Sequence, residues 1–252
     1  MQLKIGTYNI QHARNYGIYL ETKQEVRSVR EVAEVIRSEE LDICGLQEVF
    51  LYDKTAACTD DDLRNQARGI ANILGYGYIF GLAHDGALHK NGGYGVAMIS
   101  RYPIVGWRTV AIPSPKKEER KYNGYYEDRV LLIAEIEIDG RILTVINTHY
   151  GLNPDELERA VELTLRELKH IETPVIFMGD LNMTADSEYY AALASALKDT
   201  APDVTSPITF PSNEPRVKID YIFTSKGVET SAPRVPKTLV SDHLPYLIDV
   251  EW

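Results

Sequence analysis

The chain has 252 residues, of which 44% are hydrophobic and 25% are charged, and this balance is typical of a globular protein with a sizeable core. It excludes intrinsic disorder and fibrous repeats. The formal net charge of −10 disfavours broad, sequence-independent binding to duplex nucleic acid, because such binding needs a basic surface. The chain has no run of 18 consecutive apolar residues, so no membrane span is predicted. The residues after Met1 do not form a basic and then apolar signal sequence, so we expect a cytoplasmic protein.

Short β-branched runs alternate with amphipathic segments along the whole chain. No linker or internal repeat divides them, so we expect a single domain over residues 1–252. The apolar runs predict strands at 3–10, 43–47, 96–100, 105–112, 130–138, 141–148, 175–178, 219–223 and 247–250.

Three segments between these strands repeat apolar residues at helical spacing. The last begins with Asn153-Pro154-Asp155-Glu156, which combines an N-cap, a proline at the first helical position and acids in the first turn. The apolar faces are Val29, Val32, Ala33 and Ile36; then Leu63, Ala67, Ile70, Ala71 and Leu74, with Asp61 and Asp62 as capping acids and Gly75 as the stop; and Leu157, Val161, Leu165 and Leu168.

The pair Asp139-Gly140 separates two predicted strands and is a strong hairpin signal. The two strands are therefore expected to be antiparallel neighbours, which makes the sheet mixed. Hairpins among crossover connections, in a chain of this length, predict an α/β fold in which two mixed sheets pack face to face and helices cover them.

Polar residues gather where the predicted strands end. Each alone has an ordinary structural explanation, since Asn9 can cap a turn and Glu48 can be a solvated acid at a strand end. Together, carboxylates, amides and histidines at successive strand ends are what a hard, oxygen-ligated divalent metal and a phosphate need. The set comprises Asn9, Gln47-Glu48, Asn147-Thr148-His149, Gly179-Asp180-Leu181-Asn182, Asp220 and Ser241-Asp242-His243.

These segments resemble, in the same order, the motifs of the endonuclease/exonuclease/phosphatase superfamily. The likeness covers about residues 3–250. It implies a four-layer α/β sandwich and a phosphoesterase that depends on Mg²⁺ or Mn²⁺. The matching segments are Thr7-Tyr8-Asn9-Ile10, Leu46-Gln47-Glu48-Val49, Gly95 to Ile104, Asn147-Thr148-His149, Gly179-Asp180-Leu181-Asn182, Ile219-Asp220-Tyr221-Ile222 and Ser241-Asp242-His243-Leu244-Pro245.

By position, the resemblance makes Glu48 the principal metal ligand, with Asn9 beside it and Asp242 close to the same metal. Carboxylate and amide oxygens suit a hard cation that keeps several waters. Asp180 corresponds to the acid that orients or deprotonates the attacking water, and Asn182 to the amide that positions this water and a phosphate oxygen.

The resemblance also makes His149 and His243 the two histidines at the scissile phosphate, with Asp220 orienting His243. Arg129 stands where family members often place a phosphate-binding arginine, and the alternative is a surface ion pair with Glu127. The implied reaction is in-line attack of water on a phosphoester, without a covalent enzyme intermediate.

Some positions depart from the pattern or stay open. The nuclease branch has an acid just before the strand at Gly95, where this chain has Gly92-Gly93-Tyr94, so His149 has no assignable carboxylate partner. For His12, Asn15 and Gln66, surface or packing roles compete with a place at the pocket edge. One loop carries both tyrosines and basic residues and is either substrate-facing or a disordered polar loop. It contains Lys116, Lys117, Arg120, Lys121, Tyr122, Tyr125 and Tyr126.

The expected function is a metal-dependent phosphoesterase or phosphodiesterase acting on a small or lipid-derived phosphoester. The alternative is an endo- or exonuclease acting on DNA or RNA, and a remote alternative is a non-catalytic binding module. The acidic balance places nucleic acid second among the substrates, although acidic nucleases of this kind exist. We expect a monomer.

Overall fold

The computed structural model describes residues 2–52, 61–84, 92–202 and 207–251. The strands of one sheet are β1 (Gln2–Asn9), β2 (Ile43–Tyr52), β3 (Gly77–His84), β4 (Gly92–Ser100), β11 (Glu229–Thr230) and β12 (Tyr246–Glu251). Those of the other are β5 (Ile104–Ile112), β6 (Arg129–Ile138), β7 (Arg141–His149), β8 (Val175–Asp180), β9 (Lys198–Asp199) and β10 (Asp220–Thr224). The helices are α1 (Tyr16–Thr22), α2 (Val29–Ser38), α3 (Asp61–Arg64), α4 (Gln66–Leu74), α5 (Pro154–Leu168) and α6 (Glu188–Ala196), with 3-10 turns at Gln11–Ala13 and Lys117–Glu119.

Each sheet has six strands and is mixed, as predicted. The first has the order β11-β12-β1-β2-β4-β3 and the second β5-β6-β7-β8-β10-β9. In each sheet one central pair is parallel, β1 with β2 and β7 with β8, and the other pairs are antiparallel. Parallel strands at the centre of both sheets place several strand ends at one edge of the sandwich, which is where the polar motifs lie.

Three apolar clusters separate the layers. Side chains such as Ile43 and Leu132, both fully buried, meet between the two sheets. Helices α2 and α4 cover the outer face of the first sheet, and α5 and α6 cover that of the second. The predicted four-layer α/β sandwich is confirmed.

Local signals account for several element boundaries. Asp139 and Gly140 have φ values of 50° and 76°, the conformation of a tight hairpin turn between β6 and β7. The Glu156 carboxylate accepts a hydrogen bond from the Asn153 backbone N–H at 3.1 Å, so α5 begins at the predicted cap. Gly75, with a φ of 74°, ends α4 as predicted.

The predicted helix through Leu63 and Leu74 is divided in two. Asp61 and Asp62 belong to the short helix α3, and Asn65 caps α4 by accepting a hydrogen bond from the Arg68 backbone N–H at 2.9 Å. The prediction of acidic caps is therefore wrong for α4, because Asn65 directly before that helix supplies the acceptor.

Strand β3 was not predicted. Its residues Tyr78 to Phe80 form an unbroken apolar run followed by Gly81, which does not alternate as a half-buried strand does. Within the described residues, no helix combines the length and apolarity needed to cross a membrane.

Candidate active site

Polar residues from the two sheets meet around one cavity of about 430 Å³. In the first sheet, Asn9 ends β1 and Glu48 lies at an irregularity within β2. In the second sheet, His149 ends β7 and Asp180 ends β8. The cavity is therefore bounded by both sheets. Its lining consists of His12, Glu48, Tyr94, Tyr125, Glu127, Arg129, His149, Leu152, Asp180, Asn182, Phe210, Ile219, Asp242 and His243.

A β-bulge brings Glu48 to this cavity. The pairing of β2 with β4 shifts between Leu46 and Val49, so two residues of β2 oppose one of β4. Glu48 has a φ of 55°, an unfavourable conformation for a non-glycine residue. Such strain commonly occurs where a side chain must be re-aimed at a functional site.

Glu48 and Asp242 line the cavity, and Asn9 lies behind Glu48. Glu48 Oε1 accepts a hydrogen bond from Asn9 Nδ2 at 3.1 Å, and Asp242 Oδ2 accepts one from Gln11 Nε2. Burial, together with the negative charge of Asp242, raises the pKa of Glu48, although the Asn9 hydrogen bond opposes this. Burial also raises the pKa of Asp242. Partly buried carboxylates that repel one another are suited to a divalent cation, so this donor set fits Mg²⁺ or Mn²⁺.

Asn9 itself is fully buried behind the cavity wall. Its Nδ2 also donates to Asp180 Oδ2 at 2.9 Å, and its Oδ1 accepts from the Gln11 backbone N–H at 3.0 Å. Asn9 therefore links the Glu48 region of the first sheet to the Asp180 region of the second.

Asp180 lies at the centre of the site. Its carboxylate accepts hydrogen bonds from Asn9 Nδ2 and from the Asn182 backbone N–H, the latter at 3.1 Å. Its Oδ2 lies 3.5 Å from His149 Nε2 and 3.6 Å from His243 Nε2. Burial raises the pKa of Asp180 to about 7, so its protonation changes in the neutral range.

His243 is held between two carboxylates. Its Nδ1 lies 2.9 Å from Asp220 Oδ2, which also accepts from Thr209 Oγ1 at 2.5 Å. Burial alone would lower the pKa of His243, but the charges of Asp220 and Asp180 outweigh burial and raise it to about 10. His243 is therefore an imidazolium at neutral pH.

One ligand atom from each of Asp180, Asp220 and His243 lies within 4.8 Å of the others, so this group could also hold a metal ion. His243 Nδ1 already lies 2.9 Å from Asp220 Oδ2 in a hydrogen bond. A cation there would have to displace the proton, so Glu48 and Asp242 are the better donor set for it.

His149 has different surroundings. Its Nδ1 lies 3.0 Å from Arg129 Nη1 and 3.4 Å from the Tyr94 hydroxyl. Burial and the Arg129 charge lower its pKa well below the usual value, so the ring is neutral at neutral pH. Tyr94 thus lies beside the histidine nitrogen for which the sequence offered no carboxylate.

Arg129 is 5% exposed and reaches the cavity from β6. Its Nη2 lies 3.0 Å from Glu127 Oε2, so the predicted ion pair exists, but it is buried and not on the surface. Arg129 Nε has no hydrogen-bond partner among the described residues. A guanidinium that lines the cavity is suited to an anion.

Other motif residues support the site from behind. Asn147 Nδ2 donates to the carbonyl oxygens of Leu46 and Ala97 at 3.0 and 2.8 Å, and so joins the two sheets beside the bulge. Ser241 Oγ donates to the Asn9 carbonyl oxygen at 2.7 Å, which fixes the segment that carries Asp242.

His12 is a cavity residue that the sequence left open. Its ring stacks on Phe50 at 4.0 Å between centroids, and its Nε2 lies 3.3 Å from Glu48 Oε2. Gln66 supports His12 by donating to its carbonyl oxygen at 2.7 Å, whereas Asn15 caps α1 and does not line the cavity. No sequence pattern separates His12 from a surface histidine, because the left-handed turn that aims it, with φ of 58°, is a tertiary feature.

The loop before β6 contributes one of its tyrosines to the cavity. Tyr125 lines the cavity and donates from its hydroxyl to Glu127 Oε1 at 2.9 Å, whereas Tyr126 is buried against Asp155. Tyr122 is exposed and is not part of the lining. The same is true of Lys116, Lys117, Arg120 and Lys121, so the substrate-facing hypothesis applies to Tyr125.

With this geometry in place, the chain can be compared with known proteins. A model of the endonuclease/exonuclease/phosphatase family matches residues 6–243, so the chain belongs to that family. Members of this family are hydrolases that act on phosphoesters, which makes the protein a phosphoesterase by class.

Solved structures share the fold over the whole chain. A mannosyl-6-phosphatase from Bacteroides thetaiotaomicron is 18% identical with a TM-score of 0.78, covering 99% of this chain and 100% of that one. A family protein from Bacteroides vulgatus is 24% identical with a TM-score of 0.76, covering 100% and 99%. The human Nocturnin catalytic domain with bound sulfate is 17% identical with a TM-score of 0.69, covering 99% and 94%.

Proposed function

We propose that the protein is a divalent-metal-dependent phosphoesterase or phosphodiesterase that hydrolyses a small or lipid-derived phosphoester by in-line attack of water. One observation carries this proposal. A cavity between the sheets contains Asp180, an acid whose pKa is about 7, together with a protonated His243 and the metal-binding oxygens proposed around Glu48.

Glu48, Asp242 and Asn9 are the residues that would hold Mg²⁺ or Mn²⁺. When bound, such an ion supplies positive charge that stabilises the oxygens of the phosphoryl group and of the leaving group. Asn9 Nδ2 donates to both Glu48 and Asp180, and so holds the two carboxylates at a fixed distance from each other.

Asp180 orients the attacking water and takes its proton. A carboxylate with a pKa near neutrality is matched to this task, because it is ionised in part yet basic enough to accept a proton. Asn182 is fixed by the hydrogen bond from its backbone N–H to Asp180 Oδ1, and its side-chain amide positions the water and a phosphoryl oxygen.

His243 donates a hydrogen bond to the phosphoryl oxygens through Nε2, while Asp220 binds Nδ1 and keeps the ring protonated. Arg129 adds a second positive group, through the Nε that has no partner among the described residues. Both act where negative charge develops during in-line attack, in a site largely removed from water.

The organic part of the substrate is expected to be small and at least partly apolar. Tyr125, Leu152 and Phe210 line the cavity, and the first two are 51% and 55% exposed. Apart from the histidines His12, His149 and His243, Arg129 is the one basic residue among the described residues that line this cavity. A groove that binds a nucleic-acid backbone needs several basic side chains along it. One of the structural relatives with this fold is named a mannosyl-6-phosphatase, which is a phosphatase of a sugar phosphate.

Turnover of a chromogenic phosphodiester with added Mg²⁺ or Mn²⁺, and with EDTA in a parallel sample, tests the reaction class. We expect activity that EDTA abolishes and the metal restores. A panel of phosphomonoesters, sugar phosphates, inositol phosphates, sphingomyelin and plasmid DNA then ranks the substrates. Preferred cleavage of DNA would support the nuclease alternative, and absence of turnover on the whole panel would support a binding module.

A further inference from the structure

The two histidines at the cavity present their Nδ1 atoms to groups of opposite charge. His243 Nδ1 faces the Asp220 carboxylate at 2.9 Å, whereas His149 Nδ1 faces the Arg129 guanidinium at 3.0 Å. A carboxylate can only accept from a ring N–H, and a guanidinium can only donate to a ring nitrogen. The two rings must therefore differ in where they carry hydrogen.

The hydroxyl of Tyr94 strengthens the same constraint on His149. Arg129 Nη1 donates to the Tyr94 oxygen at 3.3 Å, which leaves the hydrogen of that hydroxyl for another acceptor. His149 Nδ1 lies 3.4 Å away and is suitably placed. Both neighbours thus treat Nδ1 as an acceptor, and a neutral imidazole that accepts at Nδ1 carries its hydrogen on Nε2.

Arg129 is itself fixed in place. Its Nη2 pairs with Glu127 at 3.0 Å, and Tyr125 donates to the other oxygen of that carboxylate at 2.9 Å. The Glu127 backbone N–H donates to Glu156 Oε1 at 3.1 Å, which ties the segment to the start of α5. The guanidinium therefore stays beside His149, and does not rotate away as a surface arginine would.

On the other side of the ring, Nε2 points toward Asp180 and Asn182. Asp180 Oδ2 lies 3.5 Å away and can accept the Nε2 hydrogen. Asn182 Nδ2 lies 3.0 Å from Nε2 and 3.0 Å from the Tyr150 carbonyl oxygen, which accepts from it. Asn182 Nδ2 can only donate, so its contact alone would favour a His149 ring with hydrogen on Nδ1. A bond from this neutral amide is weaker than the charge-assisted bond from the Arg129 guanidinium to Nδ1, so Arg129 decides the tautomer.

We propose that His149 is a neutral hydrogen-bond donor, protonated on Nε2, and that Arg129 and Tyr94 act as positioning residues that hold it in this tautomer. In the proposed reaction Nε2–H donates a hydrogen bond to a phosphoryl oxygen or to the water that Asp180 activates. This last step rests on the proposed function, whereas the protonation of the free ring does not.

The charges around the ring agree with this assignment. Arg129, His243 and His12 are the positive or protonatable groups that disfavour a proton on His149, and burial adds to their effect. Asp180 is the carboxylate that opposes them from β8. Tyr94 faces the ring from β4, and Asn182 faces it from the segment after β8; both are neutral.

The tautomer can be read directly from nitrogen chemical shifts of the full chain labelled with ¹⁵N-histidine, recorded with and without Mg²⁺ across a pH series. His149→Gln identifies the resonances among the six histidines. We expect His149 to remain neutral near pH 7 with hydrogen on Nε2, while His243 is doubly protonated. A charged His149 at pH 7, or hydrogen on Nδ1, overturns the proposal.

Two variants separate positioning from a merely structural role. Arg129→Met should raise the pKa of His149 by about one unit or more, that is, at least about tenfold in proton affinity, because a neighbouring cation is removed. Tyr94→Phe should leave the ring neutral but increase the fraction with hydrogen on Nδ1. Arg166→Met is the matched control, since it removes an exposed arginine of α5 that does not line the cavity, and it should leave the pKa of His149 unchanged.

An unchanged His149 pKa in folded Arg129→Met contradicts the role of Arg129. If this variant does not fold, because Glu127 loses its partner, the spectrum of the unaltered chain still decides the tautomer. These readings need no turnover, so they hold or fail separately from the proposed hydrolysis. Loss of all phosphoesterase activity in the unaltered chain would contradict the proposed function but not the tautomer.

Discussion

Asp180 and His243 are the residues on which the proposed chemistry depends most. Asp180→Asn removes the group that accepts the proton of water, and His243→Ala removes the donor to the phosphoryl oxygens. We expect each to lower turnover at least about 10²-fold, the scale of losing a positioned base or an oxyanion donor. Steady-state kinetics at saturating metal measures this, with thermal unfolding to verify the fold. Turnover close to that of the unaltered protein would exclude the residue from the chemical step.

Glu48 is proposed to anchor the metal. Glu48→Gln keeps the side-chain size and the contact with Asn9 but removes the charge, so we expect the affinity for Mn²⁺ to fall at least about tenfold. Isothermal titration calorimetry provides the measurement. The control is Glu40→Gln, an exposed acid paired with Lys4, which should bind the metal normally. Equal affinities in the two variants would place the metal elsewhere.

The Asp220–His243 pair predicts a pH effect. Asp220 helps to raise the pKa of His243 to about 10, so His243 keeps its proton, and activity should persist until the pH rises through that range. Asp220→Asn removes a negative charge that favours the protonated ring. The His243 pKa should therefore fall, and the alkaline loss of activity should move to lower pH.

Turnover against pH for both single variants and the double variant completes the cycle. Because Asp220 acts through His243, Asp220→Asn with His243→Ala should be little worse than His243→Ala alone. Fully additive losses, with the alkaline limb of Asp220→Asn unmoved, would mean that Asp220 serves another group.

At the scale of the element, the end of β8 depends on a glycine. Gly179 has a φ of 156°, and a Cβ there would lie 2.1 Å from the Thr148 carbonyl oxygen of the neighbouring strand β7. Thr148 and Gly179 directly precede His149 and Asp180, so this close approach helps to set the distance between the two side chains that we propose to be catalytic. The glycine in the Gly179-Asp180-Leu181-Asn182 motif thus has a steric reason.

Gly179→Ala should lower the free energy of unfolding by about 3 kcal/mol or more, because the clash involves backbone atoms that cannot move independently. Urea denaturation measures this. Gly140→Ala is the control, since Gly140 also has a positive φ but no atom within 4 Å of the added Cβ, and it should cost only about 1 kcal/mol. Similar losses in both variants would show that φ alone, and not the approach to β7, constrains Gly179.

Elements with strong local signals were predicted from the sequence. The Asp139-Gly140 turn and the Asn153 cap are examples, because the signal and its structural effect lie within a few residues. The break between α3 and α4 and strand β3 were not predicted. The break depends on Asn65, which caps α4 and which the apolar spacing does not reveal, and the apolar run of β3 lacks the alternation of a half-buried strand.

At the scale of the whole molecule, the site is divided between the two sheets. Asn9 and Glu48 belong to the first sheet, and Arg129, His149 and Asp180 to the second. The chemistry therefore requires that the sheets keep a fixed relative position. Asn147 contributes to this, because it reaches from β7 to carbonyl oxygens of β2 and β4.

Asn147→Ala should destabilise the protein by about 3 kcal/mol or more, since it leaves the buried Leu46 and Ala97 carbonyl groups without their donor. It should also lower turnover, because Leu46 adjoins the bulge that aims Glu48. Chemical denaturation and kinetics on the same preparation test both effects. Asn72→Ala, at an exposed position of α4, should stay within about 0.5 kcal/mol of the unaltered chain. Full stability in Asn147→Ala would contradict a role in joining the sheets.

The class of fold and the residue types of the site follow from patterns along the chain. Strand periodicity and cap signals depend on neighbouring residues, and the polar groups at strand ends, from Asn9 to His243, keep a recognisable order along the chain. The family that this order suggested is the one that matches residues 6–243. The roles of the individual site residues remain predictions.

The arrangement of those residues depends on the packing of the whole chain. It brought His12, Tyr94 and Glu127 to the cavity from three separate segments, and it placed Arg129 beside His149. No local pattern encodes such contacts, because they arise from the packing of two sheets against each other. The electrostatic difference between His149 and His243 follows from that packing, since each ring takes its protonation from neighbours far away in the chain.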